Sequence, residues 1–512
     1  MTTISSKRII INTCAQYVRT ILSMVLALVA TRVILKSLGV EDYGIYSVVA
    51  GAVSILSFLT SSLIITTQRY LSVTQGKQDT ERSRSIFNNS IFLHVIITLV
   101  VVVLLQILFI FLFKGLLNIP DAKIHSAKLL YHFVTIVLCL TFLTSPYRAV
   151  IVSHENIVYI SVIETIDAVF KLLIAYSLFF FTVDKLVIYG ALLTLIQVFN
   201  FVTLSIYSYA KYEECGKIKI SDFDFALIKK MLSFAGWTMY NIVCNLGRTQ
   251  GIAISLNKFY GAAINASYGL AFQVSGTLSN VSQSLLNAIN PQLMKAEGAG
   301  DRTKMLRIAE IESKFAFFLL SALAIPCIFE MPRLLELWLD QVPEKAVLFC
   351  RMVVLAALTD SITVGLGSAN QAEGNIRNYT LTISSIKLLT LPAVIVLLLI
   401  DVNMIWIAFC YVGFELISSS LRIPFLARTT GLNIKGFIKR VLIKEIIPTI
   451  GLILFCLLMI LIVNNSYRFI GTFSFGIIIY LLLIVVFGLC ADEKGLLKQY
   501  ILLIKNKIKI TK

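Results

Sequence analysis

The sequence predicts an all-α polytopic membrane protein. Fourteen transmembrane helices are expected as two parallel six-helix bundles plus two C-terminal helices, with both termini cytoplasmic. Three observations lead there. Apolar runs of spanning length recur along all 512 residues, Lys and Arg collect in alternate loops, and the two halves of the chain repeat one another.

The composition is 58% hydrophobic and 14% charged, where soluble domains carry about 45–50% and about 25%. That excludes a soluble enzyme of ordinary make-up. A bilayer core of ~30 Å is crossed by ~20 apolar residues in a helix. Runs of that length lie near 10–36, 43–67, 88–113, 127–151, 157–182, 186–209, 231–257, 264–291, 308–329, 346–371, 378–400, 403–427, 445–463 and 469–490. The loops between them are too short to house a folded domain. Lys7 and Arg8 precede the first run as they would in a signal peptide. That run is too long, contains Arg19 and lacks a small-residue cleavage site, so it reads as a retained helix. The nine cysteines form no Cys-x-x-Cys and no Cys/His cluster, which argues against a disulfide framework or a zinc site.

A net charge of +17 would suit nucleic acid if it gathered on one soluble face. Most of the 45 Lys and Arg fall instead in the loops and tails of one side, including Lys77, Arg82, Arg84, Lys435, Lys439, Arg440, Lys505, Lys507 and Lys509. This is the positive-inside bias. It orients the chain and leaves no nucleic-acid partner to expect.

In order along the chain, residues 1–210 are the first bundle and 211–230 a mixed-charge cytoplasmic linker. Residues 231–430 are the second bundle, 431–490 two additional helices and 491–512 a basic tail. The bundles repeat in sequence. Tyr43-Gly44, Val49, Gly51, Ser54 and Ser57 recur as Tyr268-Gly269, Val274, Gly276, Ser279 and Ser282, and Asn12, Gln16 and Arg19 recur as Asn241, Asn245 and Arg248. Six helices separate the copies, so both have the same orientation. Parallel repeats of this kind place transport sites at the repeat interface, although close packing of membrane helices also selects small residues.

Helical spacing gathers polar residues into four stripes. They are Asn12, Gln16, Arg19 and Ser23 in span one; Ser47, Ser54, Ser57 and Ser61 in span two; Asn241, Asn245 and Arg248 in span seven; and Gln273, Thr277, Asn280, Ser284 and Asn287 in span eight. Interhelical hydrogen bonding accounts for such residues in one reading. In the other, they line a water-filled cavity between the halves. Ionisable groups at depth are functional candidates, but several have local partners: Asp167 with Lys171 and Glu164, Glu310 with Lys314, and Glu415 with Arg422. Arg19, Arg248, Lys387 and Asp360 have none on their own helices. Paired guanidinium groups suit a phosphate-bearing anion, so Arg19 and Arg248 are the expected anion site. Asp360 and Lys387 are the candidates for coupling to a sodium or proton gradient, and no other cofactor is expected. Spans thirteen and fourteen lack ionisable groups over 449–463 and 469–490, so they are expected to pack against lipid-like surface. The acids of the longest outer loop, Glu336, Asp340 and Glu344, sit between Pro332 and Pro343, which reads as a surface turn.

Arg32-x5-Leu38-Gly39-x3-Tyr43-Gly44-x-Tyr46 and the later Gln68-Arg69-Tyr70 resemble the polysaccharide-biosynthesis (O-antigen, Wzx-like) flippases. These form a branch of the multidrug/oligosaccharidyl-lipid/polysaccharide exporter (MOP) superfamily. The resemblance implies a flippase of the bacterial inner membrane that is not an enzyme. It further implies an undecaprenyl-diphosphate-linked oligosaccharide as substrate, alternating access, Arg19 and Arg248 on the diphosphate, and association with glycan polymerase and chain-length machinery. A multidrug or organic-cation antiporter of the same superfamily would need acidic groups on the stripes, and a membrane glycan polymerase would need a large outer loop.

Overall fold

The computed structural model describes residues 3–116, 119–182, 184–216, 222–339, 341–463, 465 and 467–495, and these are almost entirely helical. Asp340, the tail lysines 505, 507 and 509, and linker residues 217–221 lie outside the described residues. The chain divides into two compact units.

The N-terminal unit comprises Arg8–Met239 and Met294–Gly300. It holds α1 (Ile11–Gly39), α2 (Glu41–Gly76), α3 (Thr80–Lys114), α4 (Asp121–Ser153), α5 (Ile157–Ser177) and α6 (Lys185–Lys211). The first two helices run on as one except at Gly39, whose φ of 84° breaks the helix. A side chain there would be strained, because L-residues rarely adopt that region. The Asp79 and Asp184 carboxylates cap α3 and α6 by accepting from backbone N–H groups, which satisfies donors the first turn leaves unpaired. The core is built from Leu71, Phe87, Leu105, Tyr131 and Phe142, all fully buried.

The C-terminal unit takes Met1–Lys7, Tyr240–Leu293 and Asp301–Lys512. Its helices are most of α7 (Phe225–Tyr260) and α8 (Ala262–Gly298), then α9 (Arg302–Trp338), α10 (Ala346–Ser361), α11 (Val364–Glu373), α12 (Arg377–Leu399), α13 (Met404–Thr430), α14 (Ile434–Ile462) and α15 (Arg468–Gly488). Helices α10 and α11 are one broken span bent by 48°. Tyr268, Phe349, Tyr411 and Tyr480 are among the side chains buried in its core.

Each of the fourteen expected spans falls on a helix. Among the described residues, ten helices are long and apolar enough to cross a membrane, or eleven if the bent pair is one span. Helices α5, α7 and α8 fall short, because they carry Glu164, Asp167 and Lys171, or the amide and arginine stripes. The expectation that the last two helices meet only lipid-like surface is corrected. Helices α14 and α15 pack on each other and on α9. Polar groups at their ends tie them down: Arg440 takes Glu310 through two nitrogens at 2.6 and 2.8 Å, and Arg468 takes Glu330 at 2.9 and 3.0 Å. The Tyr480 and Ser321 hydroxyls lie 2.6 Å apart in between. Sequence windows centred on the apolar stretches missed these ends.

Candidate functional site: two charge clusters

In the N-terminal unit, the Arg19 stripe of α1 faces α5. The Arg19 guanidinium donates to Glu164, and Arg148 of α4 donates to the other carboxylate oxygen at 2.5 Å. Glu164 therefore does not share the Asp167–Lys171 pair, which closes on itself at 2.7 Å while Asp167 also accepts from Asn200. Two cations share one acid. The expectation that Arg19 lacks a partner is thereby corrected. A partner on another helix is invisible to spacing along one helix.

The C-terminal unit repeats the theme with more members. Arg248 of α7 donates to Glu415 of α13 at 2.7 Å, and its guanidinium lies 4.7 Å from the centre of the Tyr411 ring. The other Glu415 oxygen holds Lys387 of α12 at 2.5 Å. Lys387 also reaches Asp360 at 2.7 Å, and Asp360 takes Arg422 at 2.5 Å. This corrects four sequence expectations at once. Arg248, Lys387 and Asp360 are all paired, and Glu415 holds Arg248 and Lys387 where the spacing had assigned it Arg422. Three cations share two acids. Each cluster therefore keeps one positive charge in excess, and Arg19, Arg248 and Arg422 each keep a buried Nε–H with no hydrogen-bond partner.

The polar stripes separate into two kinds. Asn12 and Gln16 are buried, and Asn12 donates to the Glu155 carbonyl at 2.8 Å. Asn241 accepts from Ser384, and Asn245 donates back to Asn241 while accepting from Arg248. Asn12, Asn241 and Asn245 are thus occupied by the protein, whereas the Gln16 Oε1 is buried with no hydrogen-bond partner among the described residues. By contrast, Ser54 and Ser57 on α2 and Gln273, Thr277, Asn280 and Asn287 on α8 are exposed. Ser284 is the exception in that stripe, being buried with its hydroxyl on the Asn280 carbonyl. Spacing alone does not separate the two kinds, since both show the same period.

Elsewhere in the N-terminal unit, a cavity of about 810 Å³ opens among Gln75, Arg84, His154, Lys211, Tyr212 and Glu214. The His154 ring stacks on Tyr212 at 4.2 Å and meets Glu214 at 2.6 Å. Burial pushes the Glu214 carboxyl up, but His154 and Gln75 outweigh it and hold Glu214 below its ordinary value.

A family model described as polysaccharide biosynthesis protein matches residues 5–297. The uncharacterized membrane protein EpsK of Bacillus subtilis (strain 168) is 21% identical over 305 residues, which is 58% of this chain and 59% of EpsK. The chain thus spans about 59% of the length of that curated relative. Among solved structures, a MATE transporter in the bent conformation superposes with a TM-score of 0.72 at 11% identity, covering 84% of this chain and 97% of that one. The MATE transporter ClbM in complex with Rb+ gives 0.66 at 16% identity, covering 83% and 97%. A MOP-superfamily transporter from Pyrococcus furiosus gives 0.69 at 10% identity, covering 82% and 95%. At these identities the likeness is one of fold.

Proposed function

Since the chain belongs to the polysaccharide biosynthesis protein family, we propose that it is a flippase for an undecaprenyl-diphosphate-linked oligosaccharide repeat unit, moving it from the cytoplasmic to the periplasmic leaflet of the bacterial inner membrane. The observation that carries this reading is the excess of one cation in each charge cluster, together with the unpartnered Nε–H groups of Arg19 and Arg248. A diphosphate presents oxygens that a guanidinium fork binds through two nitrogens. In a site of low dielectric that attraction is far stronger than in water. Arg19 and Arg248 receive the diphosphate while Glu164 and Glu415 keep them oriented, and Arg148 and Lys387 hold those acids when an arginine shifts.

The exposed Gln273, Asn280 and Asn287 offer donors and acceptors together, which suits hydroxyl-rich sugars. The prenyl tail stays in lipid. Transport proceeds by alternating access of the two halves. The P. furiosus transporter is described as having a binding pocket of reverse polarity, suggesting a different function.

Export of organic cations is the competing reading. It rests on the MATE-like fold and on Asp360, whose side chain is 35% exposed. The Asp360 carboxylate already holds two cations, which leaves it a poor receptor for a third.

Arg19→Ala and Arg248→Ala are each expected to abolish surface glycan in a complementation assay, while the Lys variants keep a fraction of it. Wild-type glycan in both alanine variants would sink the diphosphate assignment. Loss of lipophilic-cation efflux in Asp360→Asn, with glycan intact, would favour the competing reading.

A further inference from the structure

The acids buried in the C-terminal unit differ in their partners. Glu310 holds Arg307 and Arg440, Glu330 holds Arg468, Glu415 holds Arg248 and Lys387, Asp360 holds Lys387 and Arg422, and Glu493 holds Lys314. Two acids are different: Glu445 on α14, which is buried with its Oε1 unpartnered, and Glu312 on α9. Glu312 is fully buried, its one polar partner among the described residues is the Ser368 hydroxyl of α11, which donates to Oε1 at 2.9 Å, and its Oε2 has no partner at all.

The charged groups of every element packed on α9 are engaged elsewhere or turned outward. On α9 itself, Glu310 and Lys314 are paired as above. Arg351 of α10 donates to the Ile328 carbonyl, and Asp360 holds its two cations. On α11 the one charged residue, Glu373, accepts from the Asn375 N–H. On α14, Arg440 holds Glu310, Lys439 is exposed, Lys444 is half-buried, and Glu445 feels Lys314; on α15, Arg468 holds Glu330. No charge from any of them acts on Glu312. An isolated carboxylate in such surroundings costs many kcal/mol, and the group takes up a proton instead.

We propose that Glu312 is a proton-binding site, and that its proton holds α11 against α9 and couples transport to a proton gradient. The coupling rests on the transporter reading above; the proton site does not. The link to the charge cluster runs through the broken span. Helix α11 is seated by the Gly365 N–H donating to Ser313 at 3.0 Å and by Ser368 on Glu312. At the far side of its 48° break lies Asp360, which shares Lys387 with Glu415, the partner of Arg248. When α11 lifts from α9, water enters, Oε2 passes its proton to that water, and the carboxylate formed keeps the two helices apart until it is reprotonated. Asp360, held by two cations, has no such freedom.

The test uses the full-length protein in lipid vesicles without substrate. Infrared absorption at neutral pH is expected to contain a protonated-carboxyl C=O stretch that Glu312→Gln removes and Asp360→Asn leaves. Ser368→Ala, which removes the hydrogen bond to Oε1, is expected to shift that band. Absorption in that region left unchanged by Glu312→Gln overturns the site. If Glu312→Gln does not fold, a band unmoved by Ser368→Ala overturns it equally. Loading the vesicles with the lipid-linked oligosaccharide tests the coupling. An imposed pH gradient is expected to change the flipping rate several-fold in the wild type and to have no effect in Glu312→Gln. A gradient response retained in Glu312→Gln overturns the coupling while leaving the proton site. Absence of flipping in the wild type, with the band present, counts against the flippase reading and not against the site.

Discussion

Glu415 holds Arg248 and Lys387 at once with a side chain only 3% exposed, so its loss strands two buried cations. Breaking a buried pair by removing one partner costs about 3–5 kcal/mol. Glu415→Gln is therefore expected to lower stability by about that amount, read as an earlier thermal transition in detergent. Glu336→Gln, at an exposed pair with Arg333, is the control and should barely shift it, because surface pairs contribute about 0–1 kcal/mol. An equal shift in both would remove the special standing given to Glu415. The residue scale is also where sequence reasoning was least complete. Many of the polar residues at depth were legible, because each is out of place in an apolar run, although Glu312 and Glu330 were passed over. Their partners were not legible, because Arg19–Glu164 and Arg248–Glu415 join helices whose mutual packing no spacing rule supplies. Arg148 and Tyr411 went unremarked for the same reason.

At the scale of elements, the joint between α9 and α11 is a close approach of two backbones. A Cβ placed on Gly365 would lie 2.2 Å from the Ala309 carbonyl oxygen, and a backbone atom cannot swing away as a side-chain tip can. Gly365→Ala is expected to cost about 1–3 kcal/mol through overpacking, whereas Ser313→Ala should lose about 1 kcal/mol with its single hydrogen bond. Thermal unfolding of the two variants ranks them, and a milder Gly365→Ala would contradict the geometry. The short turn Glu213–Cys215 that follows α6 answers to pH. Glu214 sits below its ordinary value in the folded chain, so its stabilising effect is complete above the unfolded carboxylate value of about 4.3 and is lost as pH falls through the lowered one. Hydrogen exchange over residues 208–216 should show protection that is level at neutral pH and falls once the pH drops below about 4.3. In Glu214→Gln it should be weak and flat. The helices were legible as elements because periodicity and apolar length are local properties. The break between α10 and α11 was not, since residues 346–371 read as one apolar run.

At the scale of the whole molecule, the last two helices are structural members of the C-terminal unit. Ending the chain after Gly431 would strand Glu330 without Arg468 and Lys314 without Glu493, and would leave Glu310 with Arg307 alone. At about 3–5 kcal/mol for each stranded charge, the loss rivals the entire stability of a typical fold, about 5–15 kcal/mol. Such a truncation is expected to aggregate on size-exclusion in detergent, and a monodisperse peak would refute that. The ion pairs also set a timetable for making the protein. Arg19 and Glu164 are 145 residues apart, and Arg248 and Glu415 are 167 apart. At about 5–20 residues per second, the ribosome delivers Glu164 about 7–30 s after Arg19 and leaves Arg248 waiting slightly longer. During those seconds each arginine must be hydrated or held by the insertion machinery. Helices α1 and α7 therefore reach their final depth only when a glutamate made much later arrives beside them.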